Sequence, residues 1–253
     1  MAGHSKWANI KHKKSKEDAK RGKLFSKLSK MISLAAREGG GDPEMNSDLR
    51  LAIQKAKDNN MPNDNIERAV KRGTGELEGV DYEKFVYEGY GPGGVALYLD
   101  LMSDNRNRTA AEIRHLLSKH GGNLGESGCV AWMFKRRGQL IVDLAEIDYD
   151  EDEVMLEALE AGAEDVSVED GMVTIFTDPS NFEESRKKLE EAGLKFSAAD
   201  IAMIPDNTIE LDKVTAKKNL KLMDVLEDHD DVQEVYSNFD IPDEIMNEIS
   251  EEE

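Results

Sequence analysis

The sequence predicts an α+β protein of three domains: an N-terminal three-helix unit, a discontinuous central α/β domain and an inserted ferredoxin-like domain. Three observations predict it. Between positions 23 and 73, apolar residues recur at helical spacing and are interrupted by glycine and asparagine turns. Residues 139–204 alternate strand and helix patterns in the order βαββαβ, the split-βαβ arrangement. After Pro205 only one helix pattern and short strand patterns remain, too little for a domain, so they need a sheet elsewhere in the chain. A length of 253 residues accommodates this division.

Residues 1–22 carry Gly3, Gly22, many lysines and few apolar groups, and read as a flexible basic arm. Leu24, Phe25, Leu28, Met31, Ile32, Ala35 and Ala36 then mark an amphipathic helix, ended by Gly39-Gly40-Gly41. Leu49, Ala52, Ile53 and Ala56 mark a second, closing at Asn59-Asn60. Asp64 and Glu67 resemble a capping box opening a third, with Ile66, Ala69 and Val70, stopped by Gly73. Residues 23–75 thus form the helical domain.

The central domain takes residues 80–136 and 206–240. Strands around Phe85 and Tyr87 and over residues 95–101 meet at the Gly89-Tyr90-Gly91-Pro92-Gly93-Gly94 turn. A helix covers 109–120, with Ile113, Leu116 and Leu117 apolar, and a strand covers 130–134. The ferredoxin-like domain takes residues 137–205: strand 139–143, helix 151–161, strands 165–168 and 172–176 around Glu169-Asp170-Gly171, helix 181–192 and strand 195–204. A helix from 212 to 227 and a strand at 232–236 return to the central sheet. Residues 241–253 read as a frayed acidic tail.

Charge is distributed unevenly over this plan. The first thirty residues hold ten basic and two acidic side chains, residues 31–137 sum to −1, and residues 138–253 sum to −27, in a chain of net −20. One end suits a polyanion and the other repels it.

Several function classes drop out. The single cysteine, Cys129, forms no intramolecular disulfide and sits in an apolar run, which reads as a small buried hydrophobe in a reducing, cytoplasmic setting. No apolar run reaches the roughly 18–20 residues that span a bilayer, so no membrane role is expected. The basic N-terminus lacks a hydrophobic stretch after it and is lysine-rich with acidic residues, unlike secretory or mitochondrial leaders. Gly89 to Gly94 matches the spacing of a dinucleotide fingerprint, but the next residues are strand-like where a helix is required. There is no phosphate-binding lysine loop, nucleophile elbow or paired-cysteine zinc site, and His115 and His120 are misplaced for one helical face. Asp148-Tyr149-Asp150-Glu151-Asp152 imitates a calcium loop, but Glu153 stands where glycine is obligatory. No catalytic residue, metal, cofactor or small-molecule substrate is therefore expected.

The arm is the candidate site. Lys6, Lys11, Lys13, Lys14, Lys16, Lys20, Arg21 and Lys23 supply cations, interleaved with Trp7, His4 and His12. Cations neutralise phosphates while aromatic rings stack on bases. The competing reading is a solvated tail, which gives no reason for Trp7. Six phosphate contacts would give a log–log salt slope of about −5 on duplex DNA or roughly −4 on a single strand. Arg106 and Arg108 open the helix at 109–120, where cations oppose the helix dipole by about 0.3–1 kcal/mol each. They need a partner, either a carboxylate of Asp100 or Asp104 or a bound phosphate. Lys135-Arg136-Arg137 either extends that surface or is a solvated strand end.

The residues carrying these features resemble the YebC/PmpR family. Met1-Ala-Gly-His-Ser-Lys-Trp-Ala-Asn-Ile-Lys-His-Lys-Lys, Lys23-Leu-Phe-Ser-Lys, Met61-Pro-Asn-Asp-Asn-Ile-Glu-Arg-Ala, Tyr87-Glu-Gly-Tyr-Gly-Pro-Gly-Gly, Asp104-Asn-Arg-Asn-Arg-Thr and Gly128-Cys-Val-Ala-Trp-Met-Phe are similar to its signatures. The resemblance runs from residue 1 to about 240. It implies the three-domain plan, no known catalysis and a nonenzymatic regulator of gene expression, described for the family as DNA-binding and transcriptional. Ribosome association and relief of stalling at proline-rich stretches are the alternative, with mitochondrial relatives acting in translation. The expected partner is promoter DNA or ribosomal RNA, with a ribosomal or other basic protein as a partner of the acidic domain. An interaction scaffold is the remaining reading.

Overall fold

The structure, a computed structural model, describes residues 18–169 and 171–251. It is an α+β fold. In chain order the helices are α1 (Asp18–Gly39), α2 (Ser47–Asp58), α3 (Asn63–Gly73), α4 (Arg106–Lys119), α5 (Glu151–Glu160), α6 (Phe182–Glu191), α7 (Lys213–Glu227) and α8 (Asp243–Glu251). The strands are β1 (Glu83–Tyr90), β2 (Ala96–Ser103), β3 (Asn123–Leu124), β4 (Phe134–Asp143), β5 (Asp165–Glu169), β6 (Met172–Thr177), β7 (Ala198–Pro205), β8 (Ile209–Glu210), β9 (Val232–Ser237) and β10 (Phe239–Asp240). The described chain divides into two compact units, residues 18–127 with 217–235, and residues 128–216 with 236–251.

In the first unit, Leu28, Ile32, Ala36, Leu49, Ala56, Ile66 and Ala69 bury the apolar stripes of α1, α2 and α3 against one another. Asn46 fixes the first turn between them. Its Oδ1 accepts from the Leu49 N–H, capping α2, and its Nδ2 donates to the Ala35 and Gly40 carbonyls. Helix α1 begins at Asp18, earlier than the expected 23, so residues 18–22 of the predicted arm are helical. Lys23, Lys27 and Lys30 of this helix find the partners described below. Helix α3 starts after Pro62 with no side-chain cap, so the expected Asp64–Glu67 box is not formed.

The same unit holds a four-stranded sheet in the order β3-β1-β2-β9, antiparallel across its β3–β1 and β1–β2 pairs. Phe85 faces Leu101 and Tyr90 faces Ala96 across the β1–β2 pair. The turn between them passes through Gly93 and Gly94, each at φ 78°, a left-handed backbone that glycine adopts freely. Ile113 and Leu117 of α4, like Leu97, Leu99 and Leu101 of β2, are fully buried. Strand β9 closes the edge beside β2, as its returning helix–strand pattern predicts.

The second unit contains β4-α5-β5-β6-α6-β7, with the sheet order β5-β6-β4-β7 and every pair antiparallel. This is the ferredoxin-like arrangement. Asp150 and Glu153 form a reciprocal capping box at α5, which is why Glu153 occupies the place a calcium loop gives to glycine. Three expectations are corrected. Residues 130–134 are not a strand: Ala131–Met133 form a 3₁₀ turn, and β4 runs unbroken from Phe134. The last strand starts at Ala198, not 195. Residues 243–251 are not frayed but form α8, which buries Met246 and Ile249.

Candidate nucleic-acid interface

Of the cations assigned from sequence, Lys6, Lys11, Lys13, Lys14 and Lys16 lie outside the described residues, as do Trp7 and His12. Lys20 is placed by its backbone in the first turn of α1. Arg21 and Lys23 follow on the same helix and are exposed.

Lys23, Lys27 and Lys30 recur at helical spacing on α1, and all three reach the end of α7 and the turn after it. Lys23 Nζ is 2.7 Å from Asp228 Oδ1, Lys27 Nζ donates to the Glu227 carbonyl at 2.6 Å, and Lys30 Nζ donates to the Asp230 carbonyl at 2.9 Å. Cations at the free carbonyls of a helix C-terminus are favourable.

Lys30 also reaches Asp231, with Nζ 3.1 Å from Oδ1. Asp231 precedes β9 and is only 4% exposed. Its Oδ2 lies 2.8 Å from Thr109 Oγ1, 2.9 Å from Ser103 Oγ and 3.0 Å from the Arg108 guanidinium. Burial pushes this carboxyl up, but the hydrogen bonds from Thr109, Arg108, Ser103 and Lys30 outweigh it and hold the group at about 2. The buried charge is thereby fully paired.

Asn105 caps α4 through its Oδ1 and the Arg108 N–H, so Arg106 and Arg108 occupy the first turn. That turn carries no acidic residue. Arg108 is answered by Asp104, at 2.9 Å, and by Asp231. Of the two partners considered for it, an intramolecular carboxylate is present; Asp104 was foreseen and Asp231 was not. Arg106 is exposed, and its guanidinium stands 4.8 Å from the Phe85 ring centre. A cation over an aromatic face is attracted and held in one orientation.

Lys23 and Arg108 line one open groove of about 700 Å³, with Lys30, Tyr82, Asp104, Glu112, His115, Asp228, His229, Asp230 and Asp231. Its carboxylates outnumber its lysines and arginine, so the groove is not a phosphate cradle. His229 Nδ1 accepts from the Asp231 N–H, which leaves its ring hydrogen on Nε2, 3.0 Å from Glu112. Glu112, His229 and Asp231 come close enough to suggest metal ligands. Asp231 already receives two cations and two hydroxyls, however, and His229 Nδ1 is engaged, so this donor set does not fit a metal.

In the second unit, Lys135, Arg136 and Arg137 lie within β4 rather than at its end. Lys135 pairs with Asp206 at 2.8 Å, and Arg137 stands 6.0 Å from the Phe176 ring centre. Cys129, expected to be buried, is partly exposed, and Trp132 beside it is 74% exposed. Sequence reading missed Asp231 and Trp132. Asp231 sits in an acidic run that looks solvated, and Trp132 in an apolar run that looks like core.

Comparison with known proteins finds relatives along the whole chain. A family model described as the TACO1/YebC protein N-terminal domain matches residues 5–76, and one described as the TACO1/YebC second and third domain matches residues 82–239. A protein of Halothermothrix orenii named "Probable transcriptional regulatory protein" is 85% identical over 253 residues, covering 100% of both chains. One of the same name from Natranaerobius thermophilus is 60% identical over 97% of this chain and 99% of its own. The crystal structure of a conserved hypothetical protein from Aquifex aeolicus is 50% identical and superimposes with a TM-score of 0.85, covering 95% of this chain and 98% of that one.

Proposed function

The chain belongs to the TACO1/YebC family, and from that premise we propose that it is a nonenzymatic, nucleic-acid-binding regulator of gene expression. The observation that carries this is the N-terminal charge: ten basic residues against two acidic within thirty, with Trp7 among them, in a chain of net −20. Lys6, Lys11, Lys13, Lys14, Lys16, Lys20, Arg21 and Lys23 neutralise phosphates, while Trp7 and His12 stack or bond to bases. Arg106, exposed and oriented over Phe85, is a second phosphate contact. Arg108 contributes only where a phosphate displaces Asp104. The name shared by the relatives favours promoter DNA as the target.

A gel-shift titration tests the reading. The full chain should retard duplex DNA at about 0.15 M salt with a log–log salt slope near about −5. Removing residues 1–17 should abolish the shift and leave the melting temperature unchanged. Equal binding by the shortened chain overturns the arm, and no binding by the full chain overturns the function.

One observation favours a second reading. The arm's sequence carries an aromatic ring among its cations and no recognisable base-reading module, which suits ribosomal RNA as well as a promoter. Co-sedimentation with ribosomal particles, lost on removing residues 1–17, supports translation. Selective retardation of one promoter fragment over random DNA supports transcription.

A further inference from the structure

We propose that Trp132, with Lys135 and Arg136, forms a further nucleic-acid contact that takes an unpaired base. The proposal rests on the nucleic-acid reading above and adds the kind of strand bound. Trp132 is the one aromatic among the large apolar side chains exposed in the described residues. It stands on the 3₁₀ turn Ala131–Met133, which enters β4 directly. Its indole N–H donates to the Cys129 carbonyl at 3.1 Å. The ring's polar edge is thus satisfied within the chain, and its orientation is set before any ligand arrives. What remains open is an apolar π-face, the surface on which an unstacked base rests regardless of its identity.

Cations flank this ring. Lys135 lies three positions after Trp132, which bounds their α-carbons at about 11 Å, within a few nucleotides of backbone. Two basic triplets occur in this otherwise acidic unit, and they are used differently. Arg186, Lys187 and Lys188 are each paired along α6, with Glu190, Glu191 and Glu184. In the β4 triplet, Lys135 has Asp206, Arg137 covers Phe176, and Arg136 is exposed with no carboxylate partner among the described residues.

The strand geometry presents them. Strand β6 pairs with β4 only from Gly138 onward, whereas β7 pairs with it from Phe134. Residues 134–137 therefore form a two-stranded ribbon with β7 that runs past β6. Alternation puts Lys135 and Arg137 on one side and Arg136 on the other, so phosphates on either side of a stacked base meet a cation. A duplex keeps its bases stacked on each other and cannot use Trp132; a single strand can.

The chain's only tryptophans are Trp7 and Trp132, which makes the test direct. In a full-length Trp7→Phe variant all indole emission comes from Trp132. Titration with a twelve-nucleotide oligouridylate or oligothymidylate should quench that emission saturably, and a duplex of equal length should not. A response to the ribo-oligomer alone, or to both oligomers, identifies the strand chemistry and supports the contact either way. Trp132→Ala should weaken single-strand binding about tenfold, Trp132→Phe should restore most of it, and Arg136→Gln should lower the salt slope by about 0.7. Because the ring is exposed, these variants should melt like the parent. An unquenched Trp132 in a chain that still retards nucleic acid overturns this contact and leaves the function standing. Quenching by a protein partner but by neither oligomer also overturns it. Failure of the parent chain to bind any nucleic acid overturns the function itself.

Discussion

Lys30 and Asp231 meet across 201 residues of sequence, with Nζ 3.1 Å from Oδ1. The contact joins the first helix to the start of the last strand of the central sheet. Ser103, at the end of β2, and Arg108 and Thr109, in the first turn of α4, converge on the same carboxylate. Four separate segments are thus pinned to one buried charge. Removing it strands two cations and two hydroxyls. Asp231→Ala should lower unfolding stability by about 3 kcal/mol, the low end for a broken buried pair, because Arg108 is half-exposed and regains water. Urea unfolding measures it, and a loss below about 1 kcal/mol would falsify the keystone role.

The same carboxylate makes a pH prediction. Its folded value is about 2 against an ordinary 3.8. The depressed value means the native state holds the proton less tightly than the unfolded chain. Its stabilisation is therefore complete above about 4 and is lost as the pH falls toward about 2. Subtracting the stability profile of Asp231→Asn from that of the parent should leave a step confined to that window. A flat difference across it contradicts the assignment.

Much of this arrangement was legible in advance and its centre was not. The βαββαβ order of residues 139–204, and the need of the last helix and strand for a sheet elsewhere, follow from period and punctuation, which are local properties. Asp231 becomes special only through Lys30, Ser103, Arg108 and Thr109, none of them near it in sequence, so its acidic neighbours make it look solvated. Trp132 fails for the opposite reason. The run from Cys129 to Phe134 is apolar enough for a strand, but the 3₁₀ turn rotates its indole outward. The tail fails because Ile245, Met246 and Ile249 are few among acids, although their spacing is helical and two of them are buried.

That tail gives a third prediction. Ile249 is 5% exposed on α8, and Lys213 pairs with Glu248 at 2.7 Å. Ile249→Ala should cost about 2–3 kcal/mol through lost burial and the cavity left behind. Glu248→Gln, removing a largely exposed ion pair, should cost under about 1 kcal/mol. Thermal melts of both variants rank them. Equal small effects would mean that α8 is not docked.

Gly138 tests the ferredoxin-like core. A β-carbon there would stand 2.2 Å from Thr177 Oγ1 and 2.7 Å from the Phe182 ring. Both neighbours are buried and cannot swing aside. Gly138→Ala should therefore destabilise by about 1–3 kcal/mol through overpacking. A variant as stable as the parent would show that β4 and α6 are more loosely packed than these distances require.

Arg106 and Arg108 sit two residues apart on one helical turn and should separate cleanly under mutation. Arg108 is committed to Asp104 and Asp231, whereas Arg106 lies over Phe85 with its charge facing water. Arg108→Gln should remove a charge-assisted hydrogen bond to a buried carboxylate and lower the urea midpoint more than Arg106→Gln does. It should leave the salt slope of nucleic-acid binding nearly unchanged. Arg106→Gln should cost about 0.5–1 kcal/mol of stability, the worth of an exposed cation–π contact. If it touches a phosphate, the slope should fall by about 1 on duplex DNA. Paired urea melts and salt titrations on the two variants read both quantities. A slope that falls for Arg108→Gln and not for Arg106→Gln would reverse the assignment and make Arg108, rather than Arg106, the second phosphate contact.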